Sequence, residues 1–444
     1  MKSRTCRILV LCMVLLLFTG CGGSKTTING IDISEYTLIY DQNAPDYCLR
    51  AAEYIQSEIF ARCGKQIFIS EAQTGKFSHE IIIGETDREL SAQLDADTKN
   101  VEFAILADEN HIALEGDYFI IAAAAYYFVQ TYIPGSEFNS TVPQETSVHS
   151  PITEAPNNYI FLIGDGMGPN HTKLVEEYEI AEFATDSDNE RIFYGNYLPY
   201  QGMIQTDSLS GVTDSAAAAT ALACGYKTTN SYVGKDQNGN DVQSLTELAI
   251  SKGMATAVMS TDLMTGATPA GFSAHSLNRD LSDEILACQK KLMLEHNTIF
   301  ECGLQVSSAY QDIITDALTE LDESESGFFV MYEEGYIDKY SHKMQLEGAL
   351  LSVGRFNQAI GIFMEYAFYH PDTFVIITAD HETGDLQPDS AGKLQFHSES
   401  HTGADVPIFG YGQGAEVFQN CLMQNNEIPK IIAKLWGVTD FGSN

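Results

Sequence analysis

Tyr159-Ile160-Phe161-Leu162-Ile163-Gly164-Asp165-Gly166-Met167-Gly168 is a compact apolar run that stops at an aspartate set among glycines. An apolar run without alternation reads as a strand buried on both faces, the habit of a parallel sheet. The glycines let the backbone turn tightly just past its end. Runs of the same kind occupy residues 256–260, 327–331, 374–378 and 407–410. Helical stretches separate them, at 244–251, 282–295, 313–321, 342–368 and 428–435. This strand–helix order predicts an α/β fold: a doubly wound, mostly parallel sheet with helices on both faces. Ligands of such sheets collect beyond the carboxyl ends of the strands.

Upstream the pattern differs. Lys2, Arg4 and Arg7 precede an apolar run from Ile8 to Phe18 that is too short to span a bilayer. It closes Leu17-Phe18-Thr19-Gly20-Cys21, which resembles a bacterial lipoprotein signal cleaved before Cys21. The expectation is an exported protein, lipid-anchored through Cys21 to a bacterial membrane and facing the cell surface or periplasm. The predicted organisation is a signal segment at 1–20, a tether at 21–31, a small α/β N-terminal domain at 32–135, a linker at 136–157 and a catalytic unit at 158–444. In the small domain strands are expected at 33–40, 65–70, 80–84 and 101–107. A hairpin return follows at 111–115, with helices at 46–63 and 118–132. Its layout resembles the small domain that precedes some glycoside hydrolase catalytic domains, and it contains no catalytic grouping.

With 44% hydrophobic residues the 444-residue chain can bury a core. Its formal charge of −37 argues strongly against nucleic acid as a partner, because polyanion binding needs clustered Lys and Arg. Cys48 and Cys63 fall at opposite ends of one predicted helix, beyond bridging distance; Cys288 with Cys302 is the pair to consider. Oligomeric state is left open.

Polar groups gather where the predicted strands end. Asp165 follows the first strand. Glu333, Glu334, Asp338 and His342 follow the run at 327–331, and Asp380 with His381 follows that at 374–378. His401 precedes the last strand. Mixed His and carboxylate donors suit zinc, whereas all-oxygen sets suit magnesium. Between these groups lies Thr213-Asp214-Ser215, then a run of good helix formers closed by Gly225. Ser215 therefore falls in the first turn of a helix, where unpaired N–H groups and the dipole favour an anion.

Residues from about 158 to 415 resemble a bacterial alkaline phosphatase. The likeness is carried by Ile163-Gly164-Asp165-Gly166-Met167-Gly168, Thr213-Asp214-Ser215-Ala216-Ala217, Ala267-Thr268-Pro269-Ala270 with Arg279, Glu333 through His342, Thr378-Ala379-Asp380-His381, and His401-Thr402-Gly403. The resemblance implies two zinc ions and one magnesium. Asp338, His342 and His401 would hold the first zinc, and Asp165, Asp380 and His381 the second, beside the Ser215 oxygen. Asp165, Thr268 and Glu333 would hold the magnesium, Glu333 being preferred to Glu334 by its spacing from Asp338. Arg279 would grip two phosphate oxygens with its planar fork. The implied activity is hydrolysis of small-molecule phosphate monoesters through a phosphoserine at Ser215. Gly266 departs from the Asp or His that the family carries there. Lys339 reads equally as a phosphate neutraliser and as a surface lysine. His171 and His275 read as structural, and Tyr194, Tyr197 and Tyr200 as packing.

Alternative readings are a phosphodiesterase or phosphonate hydrolase on the same metals, or a non-catalytic lipoprotein that binds solute or glycan. A sulfatase lacks its Cys-or-Ser-x-Pro-x-Arg segment here.

Overall fold

The computed structural model describes residues 26–94, 101–177, 192–306 and 309–443. The signal segment and Cys21 lie outside the described residues.

An eight-stranded sheet organises the larger part of the chain. Its order is Ile299–Cys302, Ala255–Ser260, Phe328–Glu334, Asn158–Gly164, Thr373–Thr378, Val406–Tyr411, Tyr200–Gln205 and Leu422–Gln424. The first five are mutually parallel. Val406–Tyr411 runs antiparallel to both of its neighbours, so the sheet is mixed toward one side. Every residue of Asn158–Gly164, Phe328–Glu334 and Thr373–Thr378 is buried, as expected of apolar runs covered by helices on both faces.

Register is what builds the site. Ile163 stands opposite both Glu333 and Thr378, and Ser260 also stands opposite Glu333. Four central strands therefore end flush, and whatever follows each one emerges at the same edge.

A second sheet, of six strands, has the order Phe68–Glu71, Thr37–Tyr40, Glu80–Ile83, His111–Glu115, Phe103–Ala107 and Ser147–His149. Its first four strands are parallel. The helices Asp46–Cys63 and Ile121–Tyr132 belong to this half and pack against each other. Ile121–Tyr132 also packs on the long helix Leu346–Tyr369 of the larger half. The seam is mainly aromatic. Phe119 meets Tyr194 edge-on at 4.8 Å and lies 5.8 Å from Phe368, while Tyr54 lies 4.5 Å from Tyr369. Arg50 adds a two-pronged pair to Glu365, at 2.6 Å for each prong. One apolar core runs from Ile55 through Phe128 to Phe363.

Several expected elements differ in detail. Residues 33–40 are not one strand: Asp32 accepts hydrogen bonds from the Ser34 N–H and hydroxyl, which winds Ile33–Glu35 into a short turn of helix before Thr37–Tyr40. The stretch expected as a linker contributes the strands Phe138–Ser140 and Ser147–His149. The helix expected at 342–368 begins only at Leu346 and runs to Tyr369; a turn with Met344 at φ +51° separates it from a short helix, Tyr336–Ser341, that was not expected. Cys288 and Cys302 are both free, as are the other four described cysteines. No helix among the described residues is long and apolar enough to cross a membrane.

Phe119 is almost wholly buried in the seam. Phe119→Ala is expected to cost about 3–5 kcal/mol of stability, the usual result of emptying an aromatic site. Denaturant titration measures this, and a loss below about 1 kcal/mol would show that the seam does not bind the two halves together.

Candidate metal and nucleophile site

The helix Ser215–Cys224 is set by its two ends. Asp214, in extended conformation, accepts the Ala217 N–H, and Gly225 closes the last turn at φ +79°. Its alanines allow the helix Ala267–Ser273 to approach closely: a Cβ on Gly271 would lie 2.6 Å from the Ala219 Cβ. The second Asp214 oxygen accepts the Ser231 N–H at 2.9 Å and pairs with Arg279 Nη1 at 3.3 Å. One carboxylate thus caps the helix and tethers the arginine beside it.

Ser215 is buried, and its Oγ lies 3.2 Å from His381 Nε2. Two groups of potential donors meet around that imidazole. One consists of Asp165, Asp380 and His381, the other of Asp338, His381 and His401. His342 joins the second, with its Nε2 3.0 Å from His401 Nε2 and 3.3 Å from Asp338 Oδ1. The structure therefore brings together all six residues expected around the two zinc ions.

Outer contacts orient the donors. His401 Nδ1 lies 2.8 Å from the Thr213 carbonyl and His342 Nδ1 lies 2.5 Å from that of Glu399. Those contacts hold each ring with its Nε2 turned toward Asp338. Thr383 Oγ1 donates to Asp338 Oδ1 at 2.6 Å. The Gly166 and His381 N–H groups both donate to Asp380 Oδ1, at 3.1 and 2.9 Å.

The remaining oxygens have no such partner. Asp165 Oδ1 and Asp380 Oδ2 are buried and lack hydrogen bonds, and Thr268 Oγ1 is buried with only Glu333 beside it. Glu333 accepts from the Ser260 hydroxyl and contacts Thr268, whereas Glu334 is engaged by Thr261 Oγ1 and the Tyr336 N–H. Glu333, rather than Glu334, therefore shares the side of the strand that Thr268 occupies.

Burial and mutual repulsion set the ionisation of these groups. Burial, then the charges of Asp380 and Asp338, push Asp165 well above the usual carboxylate range. Burial, then Asp262, raises Glu333 to about 8, and burial raises Asp380 to about 6. Burial also raises Asp338, but His401, His381 and Thr383 outweigh it and hold the group below its ordinary value. Burial, then His401, keeps the His381 imidazole neutral. Bare carboxylates packed this way repel, and a divalent cation is the counter-charge that would hold them ionised. The orphaned oxygens and the converging imidazole nitrogens fit that role. Mixed donors suit zinc in the two central groups, and Asp165, Thr268 and Glu333 supply an all-oxygen set suited to magnesium.

Asp262 was not among the expected residues. A Cβ on Gly266 would lie 2.8 Å from Asp262 Oδ2, so the missing side chain leaves the space that Asp262 fills. Asp262 pairs with the Lys339 ammonium, which also lies 4.4 Å above the Tyr336 ring. Lys339 is thus a fixed cation beside Glu333. Asp262 follows its strand just as Asp165 follows its own, and that position was the available signal. His171 is buried, with its Nε2 3.1 Å from Ser341 Oγ and its Nδ1 accepting the Gly168 N–H. His275 bridges Glu247 and the Gly234 carbonyl. Both are held in structural contacts.

The model of the family described as alkaline phosphatase matches residues 156–305 and 305–396, more than half of the chain. The chain belongs to the alkaline phosphatase family. It is 26% identical over 336 residues to alkaline phosphatase 4 of Bacillus subtilis, covering 62% of this chain and 71% of that protein. To alkaline phosphatase 3 of the same organism it is 27% identical, spanning 54% of this chain and 64% of the relative, less than two thirds of its length. Among solved structures it is similar to a variant of the TAB5 alkaline phosphatase with magnesium bound in its M3 site. That match has a TM-score of 0.56 and 26% identity, and covers 66% of this chain and 99% of the other. Family membership makes this a hydrolase of the alkaline phosphatase superfamily with candidate metal-binding groups.

Gly166 adopts φ +78°, and a Cβ there would lie 2.9 Å from Asp338 Cα and Cβ. Gly166→Ala is expected to destabilise the fold by at least about 1–2 kcal/mol from the left-handed backbone alone. It should also push Asp338 away from His401. Thermal melts together with zinc titration check this, and an unaltered zinc affinity would contradict it.

Proposed function

We propose that the chain hydrolyses phosphate monoesters by phosphoryl transfer to Ser215, followed by hydrolysis of the phosphoserine and release of inorganic phosphate. The observation that carries this reading is Ser215 Oγ at a helix N-terminus, 3.2 Å from the imidazole shared by both donor groups.

Asp338, His342 and His401 are proposed to hold one zinc ion, Asp165, Asp380 and His381 a second, and Asp165, Thr268 and Glu333 a magnesium. When bound, these cations lower the pKa of coordinated oxygens and offset charge on the phosphoryl group. The protein's own groups supply the rest. The first-turn N–H groups of the Ser215 helix favour an anion in front of the serine. Arg279, tethered by Asp214, presents its fork to two phosphate oxygens. Lys339, paired with Asp262, offsets the charge of that carboxylate beside Glu333. Ser215 Oγ attacks phosphorus as the ester oxygen leaves on the opposite side. Water then cleaves the phosphoserine, returning the serine.

The chemistry is assigned to residues 158–444. The reading extends to an exported protein anchored by lipid on Cys21, supported by the basic start, the short apolar run and the small residues before that cysteine.

The test is turnover of p-nitrophenyl phosphate beside bis(p-nitrophenyl) phosphate. Monoester cleavage should dominate, and chelation should abolish it. Ser215→Ala should lower kcat at least about a thousandfold, as expected on loss of a covalent nucleophile. Zinc added back at neutral pH should release protons and raise Tm, because its ligands bind deprotonated and only in the folded chain. Full turnover by Ser215→Ala, or a preference for the diester, would overturn the proposal.

A further inference from the structure

A cavity of about 550 Å³ opens at the other sheet, and it shares no lining residue with the metal and nucleophile cluster. It lies beyond the carboxyl ends of three parallel strands. Asp41 follows Thr37–Tyr40, Glu85 follows Glu80–Ile83, and Glu115 ends its own strand, with all three residues in the wall. Parallel α/β sheets bind their ligands at this edge, and the volume falls within the range of small-molecule sites, about 300–1,000 Å³. Tyr47 and Tyr118 line it from the N-terminal half, and Tyr197 from the larger half. The Tyr118 ring is braced 5.2 Å from Tyr194 and 5.9 Å from Tyr197, so this wall is built by packing across the seam.

Glu115 gives the cavity its character. No hydrogen bond among the described residues engages its carboxyl group. Burial, then Glu85 and Asp117, raise its pKa to about 8. A glutamate left in such a place disfavours the folded state as pH rises from its ordinary value toward 8, a cost the scaffold alone does not require. No Lys, Arg or His lines the cavity, so a phosphate or other anion has no counter-charge there.

We propose that this cavity is a binding site for a neutral, hydroxyl-rich ring of the hexose class. Glu85, Glu115 and the Asn43 amide offer hydrogen-bonding groups to ring hydroxyls. Tyrosine faces suit the apolar C–H faces of a sugar ring. The site would let the N-terminal half hold a glycan while the larger half does its chemistry. It does not rest on the proposed phosphatase reaction.

The test is saturation-transfer NMR and calorimetry on the metal-loaded protein with glucose, galactose, mannose and N-acetylglucosamine, with choline and inorganic phosphate as charged probes. At least one sugar should bind with a Kd below about 10 mM. Glu115→Gln and Tyr118→Ala should each weaken it about tenfold, the size of one lost polar or stacking contact. Turnover of p-nitrophenyl phosphate should stay within about twofold, as for distant sites that share no partners. Tm reports on folding, and Glu115→Gln, which removes a half-buried acid, should not lower it at pH 8. Absence of sugar binding overturns the proposal, as does binding that survives both substitutions or a preference for choline over every sugar.

Discussion

Asp165, Asp338, Asp380 and Glu333 are buried at one strand edge, where burial and mutual repulsion disfavour the charged forms of Asp165, Asp380 and Glu333. Burying one unpaired charge is expensive, and burying several together is more so. Hydrogen bonds settle only part of the account: Asp380 takes two backbone N–H groups and Asp338 takes Thr383, while one oxygen each on Asp165 and Asp380 stays bare. The cluster makes physical sense as a cage for cations. The neutral imidazole of His381, standing between the two donor groups, belongs to the same design.

The fold delivers that cage through strand register. Ser260, Glu333, Ile163 and Thr378 stand side by side across four parallel strands, so the residues that follow emerge together although they are far apart in sequence. The Ser215 helix comes from outside that set of strand ends. Its alanines let it press against Ala267–Ser273, and its capping aspartate carries Arg279. Position, capping and charge thus converge on one serine oxygen.

Much of this was legible in the sequence. The unbroken apolar runs announced buried parallel strands, and searching their ends found Asp165, Glu333, Asp338, Asp380 and His381. The Thr-Asp-Ser start and closing glycine marked the Ser215 helix at both ends. Other features left weaker traces. No Gly or Pro marks the break between Ser341 and Leu346, because Met344 itself takes the left-handed turn. Asp262 escaped because Gly266 drew attention to a missing side chain, while its replacement sits one turn earlier at a strand end. The short strands at 138–140 and 147–149 lie among polar and proline residues, and tertiary pairing decides them. The cavity around Glu115 could not be read at all, since it depends on where two halves of the chain meet.

The most direct measurement of the central claim is anomalous scattering at the zinc edge from crystals of the zinc-loaded protein. The account predicts one peak within about 2.0–2.2 Å of Asp338, His342 and His401 donors, and a second equally close to Asp165, Asp380 and His381. Crystals grown with zinc that show no anomalous peak at either group, with these side chains bonded only to one another, would contradict it.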